Sequence, residues 1–152
     1  MNNQVKLNNY VHFAVQSTCL FLIAKYLKLT LHEFGHCMGG WLVGLHPVGL
    51  QIKLFGGGHT FFTESWSFWQ GLITAVSGPA FDLILGLIVF FLIFPYVKSW
   101  GFQLFWLFYA IIALFSFWTY MIIGGFMGIG DFASISGFIG IGKYVFGIIG
   151  VL

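Results

Sequence analysis

Four long apolar runs leave this chain few folds to choose from. They extend from about Tyr10 to Leu45, Phe68 to Val97, Phe102 to Ile123 and Phe132 to Leu152, with short polar segments between them. A helix rises about 1.5 Å per residue and crosses the ~30 Å hydrocarbon core in about 20 apolar residues, so each run is long enough to span a bilayer. Composition argues the same way. Only 7% of residues are charged, 59% are hydrophobic and the mean hydropathy is +0.96, whereas a soluble domain carries about 25% charged residues to cover its surface. The expected fold is an all-α polytopic membrane protein of three to four transmembrane helices, a single membrane-embedded domain over residues 1–152 with the lipid bilayer as its surroundings. The net charge of +2 rests on six lysines and no arginine, too thin and scattered a set for a nucleic-acid surface.

The runs differ in how they should cross. The first would make a helix of roughly 50 Å, so it must tilt, project or break, and Lys25 and Lys28 are the expected place for a break. The second contains Gly78-Pro79, where a missing backbone donor should kink or split the helix. The third is uninterrupted, and the fourth is glycine-rich and carries Lys143. Between the first two lies "HPVGLQIKLFGGGHTFF", His46 to Phe62, whose alternating "LQIKLF" and following glycines suggest a short β-hairpin or a re-entrant loop. Trp41, Trp66, Trp69 and Trp100 fall near span ends, as in an interfacial belt. Cys19 and Cys37 lie in apolar sequence, where no disulfide is expected, and no cleavage site follows the polar N-terminus.

Four carboxylates make up the whole acidic complement: Glu33, Glu64, Asp82 and Asp131. Ionisable groups at membrane depth are expensive, so each is a candidate functional residue. His32-Glu33-Phe34-Gly35-His36 has the spacing H-E-x-x-H. Residues four apart share a helix face, so both imidazoles can address one metal ion, zinc above all, with Glu33 beside them to move a proton. Shuffling this composition would produce that spacing in roughly 0.2% of chains. The bland alternative, a polar patch bonded within the bundle, would need partners for three ionisable groups in hydrocarbon.

A metal site needs a third protein ligand. The Gly124–Gly130 segment returns to the side on which the first run ends, so Asp131 can descend through glycine-rich backbone to meet the histidines. Its alternative role is a helix N-cap. Glu64, in "FFTESW", is the competing ligand, while His12, His46 and His59 read as interfacial. Asp82 follows Pro79 by three residues, and with Gly78 and Pro79 it is a candidate substrate- or water-binding position beside a loosened helix. Lys28, one turn before His32 on the same face, either lines a wet cavity or, as is expected, snorkels to an interface.

Taken together, an embedded H-E-x-x-H, the "VGLHPVGLQIKLFGGG" stretch, a Gly-Pro in the next helix and a distant aspartate resemble the site-2 protease family of zinc intramembrane metalloproteases, from about Leu20 to Gly137. The resemblance implies that His32, His36 and Asp131 hold Zn2+ and that Glu33 is the general base. Two departures stand out. The family's Gly-Pro-x-x-Asn occurs here as Gly78-Pro79-Ala80-Phe81-Asp82, and its Leu-Asp-Gly segment as Gly130-Asp131-Phe132 without a nearby proline. A carboxylate cannot donate as an amide does.

The expected function is therefore zinc-dependent endoproteolysis of a membrane-protein or membrane-peptide substrate within or beside the bilayer. An extended substrate could add to the "LQIKLF" edge by backbone pairing. The alternative is a non-proteolytic zinc-binding scaffold or regulator that keeps the protease core; a small transporter would not need the motif's spacing. Gly35/Gly39 and Gly40/Gly44 permit close helix packing, within one chain or in a homo-oligomer.

Overall fold

The computed structural model describes residues 3–53, 57–142 and 144–152. Helix α1 runs Asn3–Leu42, a hairpin follows with strands β1 (Pro47–Ile52) and β2 (Gly58–Phe62), and α2 spans Phe68–Ile88. A π turn at Val89–Ile93 and a 3-10 turn at Phe94–Tyr96 lead into α3 (Trp100–Met127), then α4 (Asp131–Ile139) and α5 (Tyr144–Val151). Three segments are long and apolar enough to cross a membrane: Asn8–Leu42, Phe68–Tyr96 and Trp100–Met127.

No break occurs at Lys25 or Lys28. The chain from Asn3 to Phe34 contains neither glycine nor proline, and the Lys28 charge that argued for an exit from the membrane is neutralised inside the bundle by Asp82. At 40 residues, α1 is about 60 Å long, so it must tilt or project. It ends in a Schellman motif: Gly44 adopts φ +80°, its N–H bonds the Trp41 carbonyl at 3.1 Å, and the Leu45 N–H bonds the Gly40 carbonyl at 2.9 Å. Gln70 ties the next helix to this end, accepting the Ser67 N–H and donating to the Val43 carbonyl, both at 2.9 Å.

The hairpin matches the sequence reading. Its antiparallel register pairs Leu50 with Thr60, Gln51 with His59 and Ile52 with Gly58; the Leu54-Phe55-Gly56 part of the expected turn lies outside the described residues. Helix α2 passes through Pro79 without splitting, and the irregular geometry comes later, in the two turns that accommodate Pro95.

The fourth apolar run is not one span. It forms α4 and α5, of 9 and 8 residues, about 13 and 12 Å long, each too short to cross. Gly140, at φ +70°, ends α4; Lys143, between the two, is outside the described residues.

Helices α1, α2 and α3 pack on one another, around a cluster of Ala24, Val89, Tyr109, Ala110 and Ala113. Alanine and glycine at these contacts let backbones approach, which is how helices gain dispersion energy when lipid already satisfies their apolar surfaces. Gly35 and Gly39 serve the same end: a Cβ at Gly35 would lie 2.8 Å from that of Phe81, and one at Gly39 would strike the Ser77 side chain. That glycine pair is thus used within the chain. A second cluster, Met121, Phe132 and Ile135, fastens α4 to α3.

Candidate metal centre

Helices α1 and α2 run antiparallel, so residues four apart on one meet residues four apart on the other. His32 meets Asp82, and His36 meets Gly78. The His32 Nδ1–H donates to Asp82 Oδ2 at 2.7 Å, and the His36 Nδ1–H donates to the Thr74 carbonyl, also at 2.7 Å. That carbonyl also accepts the Ser77 hydroxyl at 2.7 Å, one residue before the carbonyl that Pro79 leaves without its usual helical donor. Gly78 makes room for the second histidine, because any Cβ there would run into the His36 ring.

These bonds fix the tautomers. A carboxylate and a carbonyl only accept, so each ring carries its proton on Nδ1 and presents a lone pair at Nε2. The two Nε2 atoms lie 3.2 Å apart. Asp131 joins them, with Oδ2 at 3.1 Å from His32 Nε2 and Oδ1 at 3.4 Å from His36 Nε2.

Asp131 is brought there by backbone that only glycine adopts readily. Gly128 closes α3 at φ +71° and Gly130 precedes α4 at φ +79°. Asp131 opens α4, with Gly130 in the cap position, so it is a first-turn acid and not the cap itself.

Two ring nitrogens and a carboxylate thus converge on one point, a set of groups that a cation between them would hold together. Two nitrogens bound tetrahedrally at 2.0–2.1 Å from a metal would be ~3.3 Å apart, close to the spacings found. His32, His36 and Asp131 form the metal-competent group among the described residues.

Glu33 is buried beside this group. Thr60 donates its hydroxyl to Glu33 Oε2 at 2.9 Å and lies 3.0 Å from the Glu33 carbonyl. A Cβ at Gly58 would collide with the same carboxylate. Gly58 and Thr60 are two apart on β2 and so share a face, which is the face that grips Glu33. A cavity of about 520 Å³ opens beside it, with Glu33, His36, Asp131 and Thr74 on its wall together with Phe62 and Phe138. The Thr74 hydroxyl is buried without a hydrogen-bond partner among the described residues.

The remaining candidates fall elsewhere. Glu64 is bound to His46, accepting its N–H at 3.3 Å and pairing with its Nδ1 at 2.9 Å, well apart from the converging ligands. That hydrogen bonding holds the exposed Glu64 carboxyl below its usual range. His12 is exposed; His59 is exposed on β2 at the cavity wall. Gly78, Pro79 and Asp82 are buried and lie behind the histidines, away from the cavity wall. Lys28 does not snorkel: its Nζ lies 2.7 Å from Asp82 Oδ2, with side chains 3% and 1% exposed. Among the described residues, the strand on the cavity wall is β2 and not β1. Sequence reasoning missed Thr60 and Thr74 as neighbours of the site, and it placed Lys28 on the His32 face but preferred snorkelling to the pairing with Asp82 that the structure shows.

A bundle of membrane-length helices that brings two buried histidines and a partly buried aspartate around one point defines a class, the membrane protein with an embedded group able to hold a metal. A family model, Peptidase M50B-like, matches residues 9–146. The chain belongs to that family, matching its site-2 protease core, and is an integral multi-pass membrane protein whose family points to a metallopeptidase. No curated protein and no solved structure matches it.

Proposed function

We propose that this protein is a zinc-dependent intramembrane endopeptidase. The observation that supports the reading most is that both Nε2 atoms and the Asp131 carboxylate converge beside the cavity that His36, Asp131 and Glu33 line. His32, His36 and Asp131 would hold the ion, a nitrogen and oxygen set that suits zinc and leaves a position open. Zinc there supplies Lewis acidity, acidifying water and polarising a carbonyl.

The chain's own groups do the rest. Glu33 takes a proton from the attacking water and returns it to the leaving amide nitrogen. Thr60 holds Oε2 of that carboxylate, which fixes the direction in which Oε1 can accept. The Thr74 hydroxyl, buried without a partner among the described residues, offers a donor to a bound peptide. Phe62, Trp66 and Phe138 give the cavity apolar walls that limit water around the reacting bond. A helical substrate hides its carbonyls, so the cleaved segment of a membrane protein or membrane peptide must be extended, and β2 is the adjacent strand.

The test is Glu33→Gln in the full chain, purified in detergent micelles and assayed on a panel of fluorogenic transmembrane peptides. It should retain zinc and lose cleavage. Turnover by the variant would remove Glu33 as the base; zinc without cleavage by the unmodified chain would favour the non-proteolytic scaffold.

A further inference from the structure

The departure at Asp82 has a partner that the family pattern does not announce. Asp82 Oδ2 receives two donors at once, Lys28 Nζ at 2.7 Å and His32 Nδ1 at 2.7 Å. Both charged side chains are almost fully buried, 3% and 1% exposed. Removing either partner leaves the other buried without its counter-ion in surroundings that cannot solvate it, which is strongly destabilising. Lys28 also lies 4.9 Å over the Tyr120 ring, and that ring lies 5.4 Å from His32. Lysine, tyrosine and histidine thus form one packed face of the site. An asparagine at position 82 could accept the His32 Nδ1–H through its carbonyl without adding charge, and would then give Lys28 no counter-ion.

We propose that Lys28 and Asp82 act as one positioning unit, a buried cation–carboxylate pair that replaces the family's neutral asparagine and sets the orientation and donor strength of His32. The carboxylate strengthens His32 as a ligand, as outer-shell carboxylates on metal-binding histidines do. Lys28, with Nζ 2.7 Å from the same Oδ2, offsets the added charge. The two residues are therefore exchangeable only together. This inference rests on the metal-site reading, not on proteolysis.

The experiment uses the full chain in micelles as four proteins: unmodified, Lys28→Met, Asp82→Asn and the double variant. Each is titrated with Co2+, with its visible spectrum, chelator-competition affinity and thermal midpoint recorded. Asp82→Asn should bind about 10–100-fold more weakly, the usual loss for an outer-shell partner, and its spectrum should shift. Lys28→Met should bind no more weakly but unfold at lower temperature. The double variant should regain the thermal midpoint lost by the single variants but stay about 10–100-fold weak, because no carboxylate faces His32 in it. A purely structural role would return the affinity together with the midpoint. A double variant whose midpoint is no higher than that of Asp82→Asn, or whose affinity equals that of the unmodified chain, overturns the proposal. Where the single variants fail to accumulate, recovery of folded double variant supports the pairing and its failure overturns it. An unmodified chain that takes up no Co2+ overturns the metal-site reading instead. The midpoints alone then decide the pairing: additive losses refute it, and rescue in the double supports it.

Discussion

Replacing Gly78 with alanine is the smallest change that should disable the metal site without touching a ligand. A Cβ at position 78 would lie 2.9 Å from His36 Cδ2 and closer still to Cε1 and Nε2, so the ring must move. Its Nδ1–H is held on the Thr74 carbonyl at 2.7 Å, and any rotation that relieves the collision lengthens that bond. Overpacking costs about 1–3 kcal/mol and a lost hydrogen bond adds about 1 kcal/mol. A total of about 3 kcal/mol felt at the site corresponds to roughly a hundredfold weaker metal binding. The assay is zinc affinity by chelator competition in micelles, with helical content followed by circular dichroism. Gly101→Ala is the control, since nothing lies within 4 Å of a Cβ there. Equal zinc affinity in Gly78→Ala and Gly101→Ala would refute the claim that Gly78 exists to seat His36.

Other perturbations separate the remaining parts of the site. Thr60→Val should keep zinc but lower turnover about tenfold or more, a loss of ~1.4 kcal/mol or more in transition-state stabilisation, while Thr60→Ser keeps the hydroxyl and most of the rate. Gly130→Ala forces an L side chain to φ +79° and ψ −170°, a region essentially reserved for glycine, at about 1–3 kcal/mol; part of that strain should appear as weaker zinc binding through displacement of Asp131. His36→Ala and Asp131→Ala should each lose stoichiometric zinc when the purified chains are analysed by mass spectrometry of bound metal. Unchanged zinc in Asp131→Ala would move the third-ligand role elsewhere. Chelation of the unmodified chain should abolish cleavage, and added zinc should restore it; cleavage that survives chelation would remove the metal from the reaction.

Much of the site was legible because its parts obey short-range rules. The two histidines and Glu33 share one helical turn, and helix period alone aims both imidazoles the same way. Asp131 is 99 residues from His32, yet the number of crossings between them and the glycines before Asp131 place it on the correct side. The hairpin was visible from alternation and glycine. What stayed hidden depends on contacts between elements. Thr60 reaches Glu33 across 27 residues and Asp82 reaches His32 across 50, and no local pattern marks either pairing. Lys28 looked like a place to leave the membrane because its counter-ion stands on another helix. The fourth apolar run looked like a span because hydropathy does not register a backbone turn such as the one at Gly140. Gly78 and Pro79 read as substrate-facing from their chemistry, and only the antiparallel register of α1 and α2 puts them behind the histidines.

The central claim is that two imidazoles and one carboxylate hold zinc in the membrane. X-ray absorption at the zinc edge of the purified full chain measures that directly. The account predicts one zinc per chain, with nitrogen and oxygen donors at about 2.0–2.1 Å and the multiple-scattering signature of two imidazoles. A sulfur shell at about 2.3 Å, which would bring in Cys37, or a spectrum without imidazole scattering would contradict it.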